Sequence, residues 1–335
     1  MLTWPHAHGD WAATLAAVEP VFHRLAVEIA RREMLLINCP SADKAAQIRD
    51  SITAAGIASE RLFLAVVASN DTWARDHGPI TVLENQAARL LDFRFNGWGG
   101  KFASDLDDAI SGELAALGVF GRSTLRRAEL VLEGGSIDSD GAGSLLTTTS
   151  CLLHPQRNAR LSRQQIERQL RQLLGSERIL WLHNGALQGD DTDGHIDMLA
   201  RFCSTDCIAY QSCNEPGYAE YAALKAMQHE LQALRTADGS PYRLLELPWP
   251  QPKFSADGRR LPASYANFLV INAAVLAPGY QDAADEVAAE RLQQAFPGRE
   301  VVQIDCSNLI QQGGSLHCLT MQFPQAVEFH SPPAG

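Results

Sequence analysis

Gln312-Gly313-Gly314-Ser315-Leu316-His317-Cys318 faintly echoes Leu132-Glu133-Gly134-Gly135-Ser136-Ile137-Asp138. Each places a glycine pair ahead of a strand-like alternation of apolar and polar residues. Gly-Gly-Ser occurring twice among 25 glycines is weak by itself. The matching apolar-then-polar order after it makes a structural repeat the better reading.

Working outward from these copies, helical and strand-like stretches alternate along the whole chain. Residues 11–31 carry Leu15, Val18, Phe22, Leu25 and Ile29 at helical spacing. A short apolar strand is expected over 34–39. Ser41 then suits the N-cap of a helix ending near residue 55. Residues 62–67 read as a buried strand. Further amphipathic helices are expected over 161–174, 218–234 and 283–296. Short strands are expected over 178–182, 207–210, 244–247, 268–271, 301–304 and 316–321. The Pro-rich polar stretch 248–262 is read as one surface loop, because apolar strands resume after it. The pattern is α/β, with no linker or low-complexity block marking a domain boundary.

The bulk composition narrows the function. Of 335 residues, 46% are hydrophobic and 20% charged, which is ordinary for a soluble globular chain. A formal net charge of −11 argues against nucleic acid and anionic membrane surfaces and suits a small cationic ligand. No apolar run approaches the roughly 18 residues of a membrane span. The start, Met1-Leu2-Thr3-Trp4-Pro5-His6, lacks the pattern of a signal peptide. Seven cysteines without a secretory signal suggest a reducing cytoplasm and mostly buried thiols. Oligomeric state is not readable, and a homo-oligomer stays open.

Several residues could carry chemistry. Cys318 follows a glycine pair and a histidine; a core thiol is the bland alternative, and it is the reading adopted for Cys39, Cys151 and Cys306. Gly189-Asp190-Asp191-Thr192-Asp193-Gly194-His195-Ile196-Asp197 crowds carboxylates around a histidine. On a strand, His195 and Asp197 would share one face, about 6.5–7 Å apart. A solvated surface turn is the bland reading. A thiolate, a proton carrier and anionic clamps are what attack on a cationic carbon needs. Zinc on His195, Asp197, Cys203, Cys207 and Cys213 is the rival, weakened by the lack of a Cys-x-x-Cys pair. Asp138-Ser139-Asp140-Gly141 resembles the opening of a calcium loop, but a β-turn fits it better. Thr72-Trp73-Ala74-Arg75-Asp76-His77-Gly78-Pro79 is either a turn with a surface ion pair or the wall of a pocket for a planar cation.

Taken together, the motifs resemble one family. Trp73-Ala-Arg75-Asp76-His-Gly78-Pro79, Phe95-Asn96-Gly97-Trp98-Gly99-Gly100, Glu133-Gly134-Gly135-Ser136, Cys151-Leu-Leu, Arg157-Asn158, Gly194-His195-Ile-Asp197, Ser264-Tyr265-Ala-Asn267-Phe268 and Gly313-Gly314-Ser-Leu-His317-Cys318 occur in the order seen in the agmatine deiminases. The wider group includes the bacterial-type peptidylarginine deiminases. The resemblance runs from about Trp4 to Gln322. It implies the pentein fold, a five-bladed α/β propeller with pseudo-fivefold symmetry, formed by residues 1–335 as a single catalytic domain. It implies Cys318 as nucleophile, His195 as general acid/base, and Asp76 and Asp197 as holders of the guanidinium. Glu133 would orient His195, Trp73 would pack on the substrate, and Asp191 would lie near it. No metal and no organic cofactor is implied. The expected partner is a small cationic guanidino substrate.

Three features depart from the pattern. Well-known agmatine deiminases read Gly-Gly-Gly-Asn-Ile-His-Cys-Ile-Thr-Gln-Gln where this chain has Gln312, Ser315 and Met321 at the differing positions. They have histidine where Asp138 stands. They usually carry a further segment before the Trp-Pro matching Trp4-Pro5, some of which this chain is expected to lack. These departures bear on substrate identity rather than on reaction type. The alternatives are a bacterial-type peptidylarginine deiminase, a zinc-dependent hydrolase and an inactive polyamine-binding protein.

Overall fold

The computed structural model describes residues 1–332; residues 333–335, the tail of the expected catalytic domain, lie outside the described residues. The chain divides into two compact units. One is Met1–Gly134 with the segment from Cys318 onward, and the other is Gly135–His317.

The first unit holds two three-stranded sheets. Strands β1 (Leu2–Thr3), β2 (Leu35–Cys39) and β3 (Leu62–Val66) are parallel. Helices Leu15–Ala30 and Ala42–Ala54 make the crossovers that parallel pairing demands. The Ser41 hydroxyl accepts from Lys44 N–H at 3.1 Å, so the expected N-cap is present. The first helix begins later than its periodicity suggests. Trp11 is drawn out of it because its indole N–H donates to Thr72 Oγ1 and Asp71 Oδ1, at 3.0 and 3.1 Å. The second sheet pairs β4 (Ile80–Glu84) antiparallel with β5 (Ala87–Arg94). β5 then runs parallel to β6 (Thr124–Val131). Asn85 and Gln86, both at positive φ, make the tight β4–β5 turn. The core gathers Leu36, Ala65, Leu90, Leu114, Phe120 and Met321.

The second unit repeats one plan three times: an antiparallel hairpin, a helix, and a strand returning parallel to the second hairpin strand. The sets are β7 (Ile137–Ser139), β8 (Ser144–Thr148) and β9 (Arg178–Leu182); β10 (Ala200–Ser204), β11 (Cys207–Gln211) and β12 (Arg243–Leu247); and, after a separate hairpin, a third. That hairpin, β13 (Lys253–Phe254) with β14 (Arg260–Leu261), replaces the structureless loop expected at 248–262. Its turn is closed by Ser255 N–H donating to Arg259 C=O, and Gly258 supplies the positive φ. The third set is β15 (Leu269–Ile271), β16 (Ala274–Gly279) and β17 (Glu300–Asp305). The crossover helices are Arg163–Leu174, Tyr221–Ala233 and Ala284–Ala295. The first of these starts at Arg163 because Ser162 and Gln165 form a reciprocal capping box.

The two glycine-pair segments fold differently: the first leads into a strand, and the second into a turn and a single bridge. Gly134–Ser136 forms a 3₁₀ turn leading into β7. Ala74–His77 leads into β4 and Ile196–Met198 into β10 in the same way. The Gly313-Gly314 segment leads to Thr320, which bridges antiparallel to Leu2. The strand expected over 316–321 does not form. Its backbone donors go elsewhere: His317 N–H bonds Asn267 Oδ1 at 3.0 Å and Asn267 C=O at 3.2 Å, leaving a turn and one bridge. No helix among the described residues is long and apolar enough to cross a membrane.

Candidate active site

In the first unit, the short helix Ala74–His77 presents Asp76. Arg75 N–H donates to Cys318 C=O at 3.1 Å, so the carboxylate and the candidate nucleophile sit on hydrogen-bonded backbones. Trp98 Nε1 donates to Asp76 Oδ2 at 2.9 Å. The aromatic-glycine loop, unreadable in isolation, is therefore a holder for Asp76. Its geometry is demanding. Trp98 is left-handed at φ 54°, ψ 47°, unusual for a bulky residue. Asn96 Oδ1 accepts from Gly99 N–H at 2.9 Å, and Phe95 and Phe102 pack edge-on against the indole. Trp73 is buried, its Nε1 donating to Asp71 Oδ2 at 3.0 Å, with the Trp11 ring 5.8 Å away. Burial pushes Asp71 up to about 6, against the bonds it accepts from Thr72 and Trp11.

Glu133 is fully buried. The glycine after it permits a close approach: a Cβ on Gly134 would lie 2.1 Å from Arg75 C=O and 3.1 Å from Met321 Cε. Met321 Sδ is also 3.7 Å from Arg75 Nη1. The departure at Met321 thus belongs to the packing behind Arg75. His77, next to Asp76, is pushed down to about 3 by burial, so it stays neutral at ordinary pH.

In the second unit, the loop before His195 is internally hydrogen-bonded, with Gly189 and Asp191 still exposed. Asp190 accepts from Thr192 N–H, Thr192 Oγ1 and Gly194 N–H, and burial raises its pKa despite those bonds. Arg157 binds Asp193 Oδ2 at 2.7 Å and Thr192 C=O at 2.9 Å. Asp191 lies against Gly313, where an added Cβ would be 3.3 Å from its Oδ1. His195 N–H donates to Thr192 Oγ1, and the Cys151 thiol comes within 4.8 Å of a His195 ring nitrogen. Cys151, read as a core thiol, is buried but sits beside the proposed acid/base.

His195 and Asp197 do not share a strand face. They flank and enter the 3₁₀ turn Ile196–Met198, with His195 at its N-cap. The turn forms because Met198 N–H bonds back to His195 C=O, ahead of β10. Asp197 Oδ2 pairs with His317 Nδ1 at 2.7 Å. Asn267 Nδ2 donates to Asp197 C=O at 3.4 Å.

Ser315 and Asp138 also have structural uses. Ser315 Oγ donates to Asn267 Oδ1 at 2.9 Å. Asp138 accepts from Arg201 Nε at 2.7 Å and Phe202 N–H at 2.6 Å, while Arg201 Nη1 reaches Phe268 C=O at 3.1 Å. The cysteines of the zinc alternative lie on β10, β11 and the flank of β11. Cys203 and Cys207 are free thiols; Cys203 Sγ lies 4.0 Å from Arg201 C=O, and Cys213 Sγ reaches Glu215 C=O at 3.8 Å. Asp140 closes the β7–β8 turn by accepting from Ala142 and Ser144 N–H, the β-turn expected there.

Residues 1–324 match the family model of the Porphyromonas-type peptidyl-arginine deiminases. The chain belongs to this family. A Porphyromonas gingivalis structure, provisionally named an arginine deiminase, is 48% identical with a TM-score of 0.90, covering 98% of this chain and 95% of that one. A C. jejuni agmatine deiminase, with a cysteine changed to serine and substrate bound, is 36% identical with a TM-score of 0.87, covering 95% and 91%. A Vibrio parahaemolyticus protein provisionally named agmatine deiminase is 34% identical over 96% of this chain and 93% of its own length. The fold is the pentein α/β fold implied by the sequence motifs.

Proposed function

We propose that the protein hydrolytically deiminates a guanidinium substrate through Cys318, converting agmatine to N-carbamoylputrescine and ammonia as a step in polyamine metabolism. The observation that carries the reading is the bond from Arg75 N–H to Cys318 C=O, which ties the backbone of the thiol residue to the residue just before the buried Asp76 carboxylate. The C. jejuni relative, a cysteine-to-serine form with substrate bound, accords with a cysteine nucleophile.

In this reading Asp76 and Asp197 bind the planar guanidinium by charge-assisted hydrogen bonds and set its central carbon for attack. Acidic surroundings disfavour a thiolate, so the bound cation helps Cys318 ionise. The sulfur adds to the carbon and gives a tetrahedral adduct. His195, oriented by Glu133, protonates the departing nitrogen, and ammonia leaves a covalent thiouronium. His195 then takes a proton from water, which adds to the same carbon and expels Cys318 as the ureido product forms. Trp73 packs on the substrate, and Asp191 attracts the distal ammonium of agmatine.

A second reading, deimination of arginine or peptidyl-arginine, is favoured by the name of the 48% identical P. gingivalis structure. Measuring ureido product from agmatine, free arginine and an arginine peptide side by side tests both. Faster turnover of either arginine substrate overturns the first reading.

A further inference from the structure

We infer that His317 is a positioning residue for Asp197 and, through it, for the guanidinium; the inference rests on the proposed role of Asp197 as a clamp. Three residues from separate segments close a buried ring of hydrogen bonds. His317 Nδ1 meets Asp197 Oδ2 at 2.7 Å. His317 N–H meets Asn267 Oδ1 at 3.0 Å, and Asn267 Nδ2 reaches Asp197 C=O at 3.4 Å. Ser315 Oγ adds a fourth contact on Asn267 Oδ1 at 2.9 Å. Asp197 and Asn267 are 0% exposed and His317 is 4% exposed.

The chemistry of the ring is one-directional. A carboxylate that binds a cation is ionised and can only accept, so Nδ1 of His317 carries the proton. Anchoring one carboxylate oxygen fixes the rotation of the group, which a bidentate or angled contact to a planar cation requires. A charge-assisted bond also holds the carboxylate in its ionised form. The same ring anchors the backbone of His317, the residue bonded to Cys318. One device therefore aims a clamp and fixes the chain entering the nucleophile.

The test compares His317→Asn with His317→Phe in the full chain. Asparagine keeps an N–H near the position of Nδ1, whereas phenylalanine keeps the ring plane and removes the donor. His317→Phe should lower kcat/KM for ureido formation by about 10- to 100-fold, with a raised KM, and His317→Asn should recover most of that loss. In the unaltered protein, the Nδ1 proton should give a low-field proton resonance that Asp197→Asn shifts or abolishes. Equal losses in the two variants, near-normal kinetics in His317→Phe, or a resonance insensitive to Asp197→Asn would overturn the inference. If His317→Phe fails to fold, the resonance and His317→Asn decide. Inactivity of the unaltered protein on every guanidino substrate would sink the proposed function, while the resonance would still report on the His317–Asp197 pair.

Discussion

Replacing Asp138 with leucine should destabilise the second unit severely. The carboxylate accepts two short bonds, from Arg201 Nε at 2.7 Å and Phe202 N–H at 2.6 Å. Both partners of the ion pair are buried, with side chains 10% and 8% exposed. Asp138→Leu leaves the Arg201 guanidinium buried, with Nη1 still donating to Phe268 C=O and the Phe268 ring beneath it. Breaking one half of a buried pair costs about 3–5 kcal/mol, mostly from the stranded charge. The double variant Asp138→Leu/Arg201→Met removes that charge and should recover half or more of the loss. Urea unfolding followed by circular dichroism reads both variants against the unaltered protein. A wild-type midpoint for Asp138→Leu, or a double variant less stable than the single, would refute the reasoning.

Other consequences can be measured directly. Cys318→Ala should abolish turnover with the fold intact, and a haloacetamidine should add mass at Cys318; labelling at Cys203 or Cys207 would count against the mechanism. Asp76→Asn and Asp197→Asn should each cost on the order of a hundredfold in kcat/KM. Asp191→Asn should raise KM for agmatine more than it lowers kcat, whereas Asp190→Asn should act mainly through a loosened 190–194 loop and lower thermal stability. His77, held down near 3 by burial, binds fewer protons folded than unfolded. Acid therefore favours unfolding, and between about pH 7 and about pH 5 this group should remove about 2 kcal/mol of stability. In His77→Phe, unfolding free energies at those two pH values should lack that increment.

Much of the fold is legible in the sequence because its elements are periodic and locally capped. Leu15, Val18, Phe22, Leu25 and Ile29 face one way, Ser41 caps, and strand 178–182 is found where its apolar run lies. What escapes reading is non-local. The hydrogen bonds from Trp98 to Asp76 and from His317 to Asp197 join residues 22 and 120 positions apart, and no spacing rule connects them. The strand reading of His195 and Asp197 fails for a different reason: an i, i+2 pair fits a strand or a 3₁₀ turn, and a single turn is too short to show a period. The expected strand at 316–321 fails because Asn267 captures the donor that a ladder would use. Asp190 and Asp191 look equivalent as letters, but the Asp190 carboxylate binds its own loop and Asp191 lies beside Gly313.

The Leu2–Thr320 bridge has a consequence for how the protein is made. The unit containing Cys318 is discontinuous, while Gly135–His317 is one uninterrupted stretch. A growing chain on the ribosome can complete the uninterrupted stretch as soon as it emerges. The unit holding β1 must wait for nearly the whole polypeptide, and its final closure spans a loop of almost the full chain length. Until then the Leu2 edge is unpaired on that side, a template for wrong strand partners. Premature termination anywhere before residue 318 yields products that lack the proposed nucleophile, so under the proposed mechanism translation errors of that kind release no half-active enzyme.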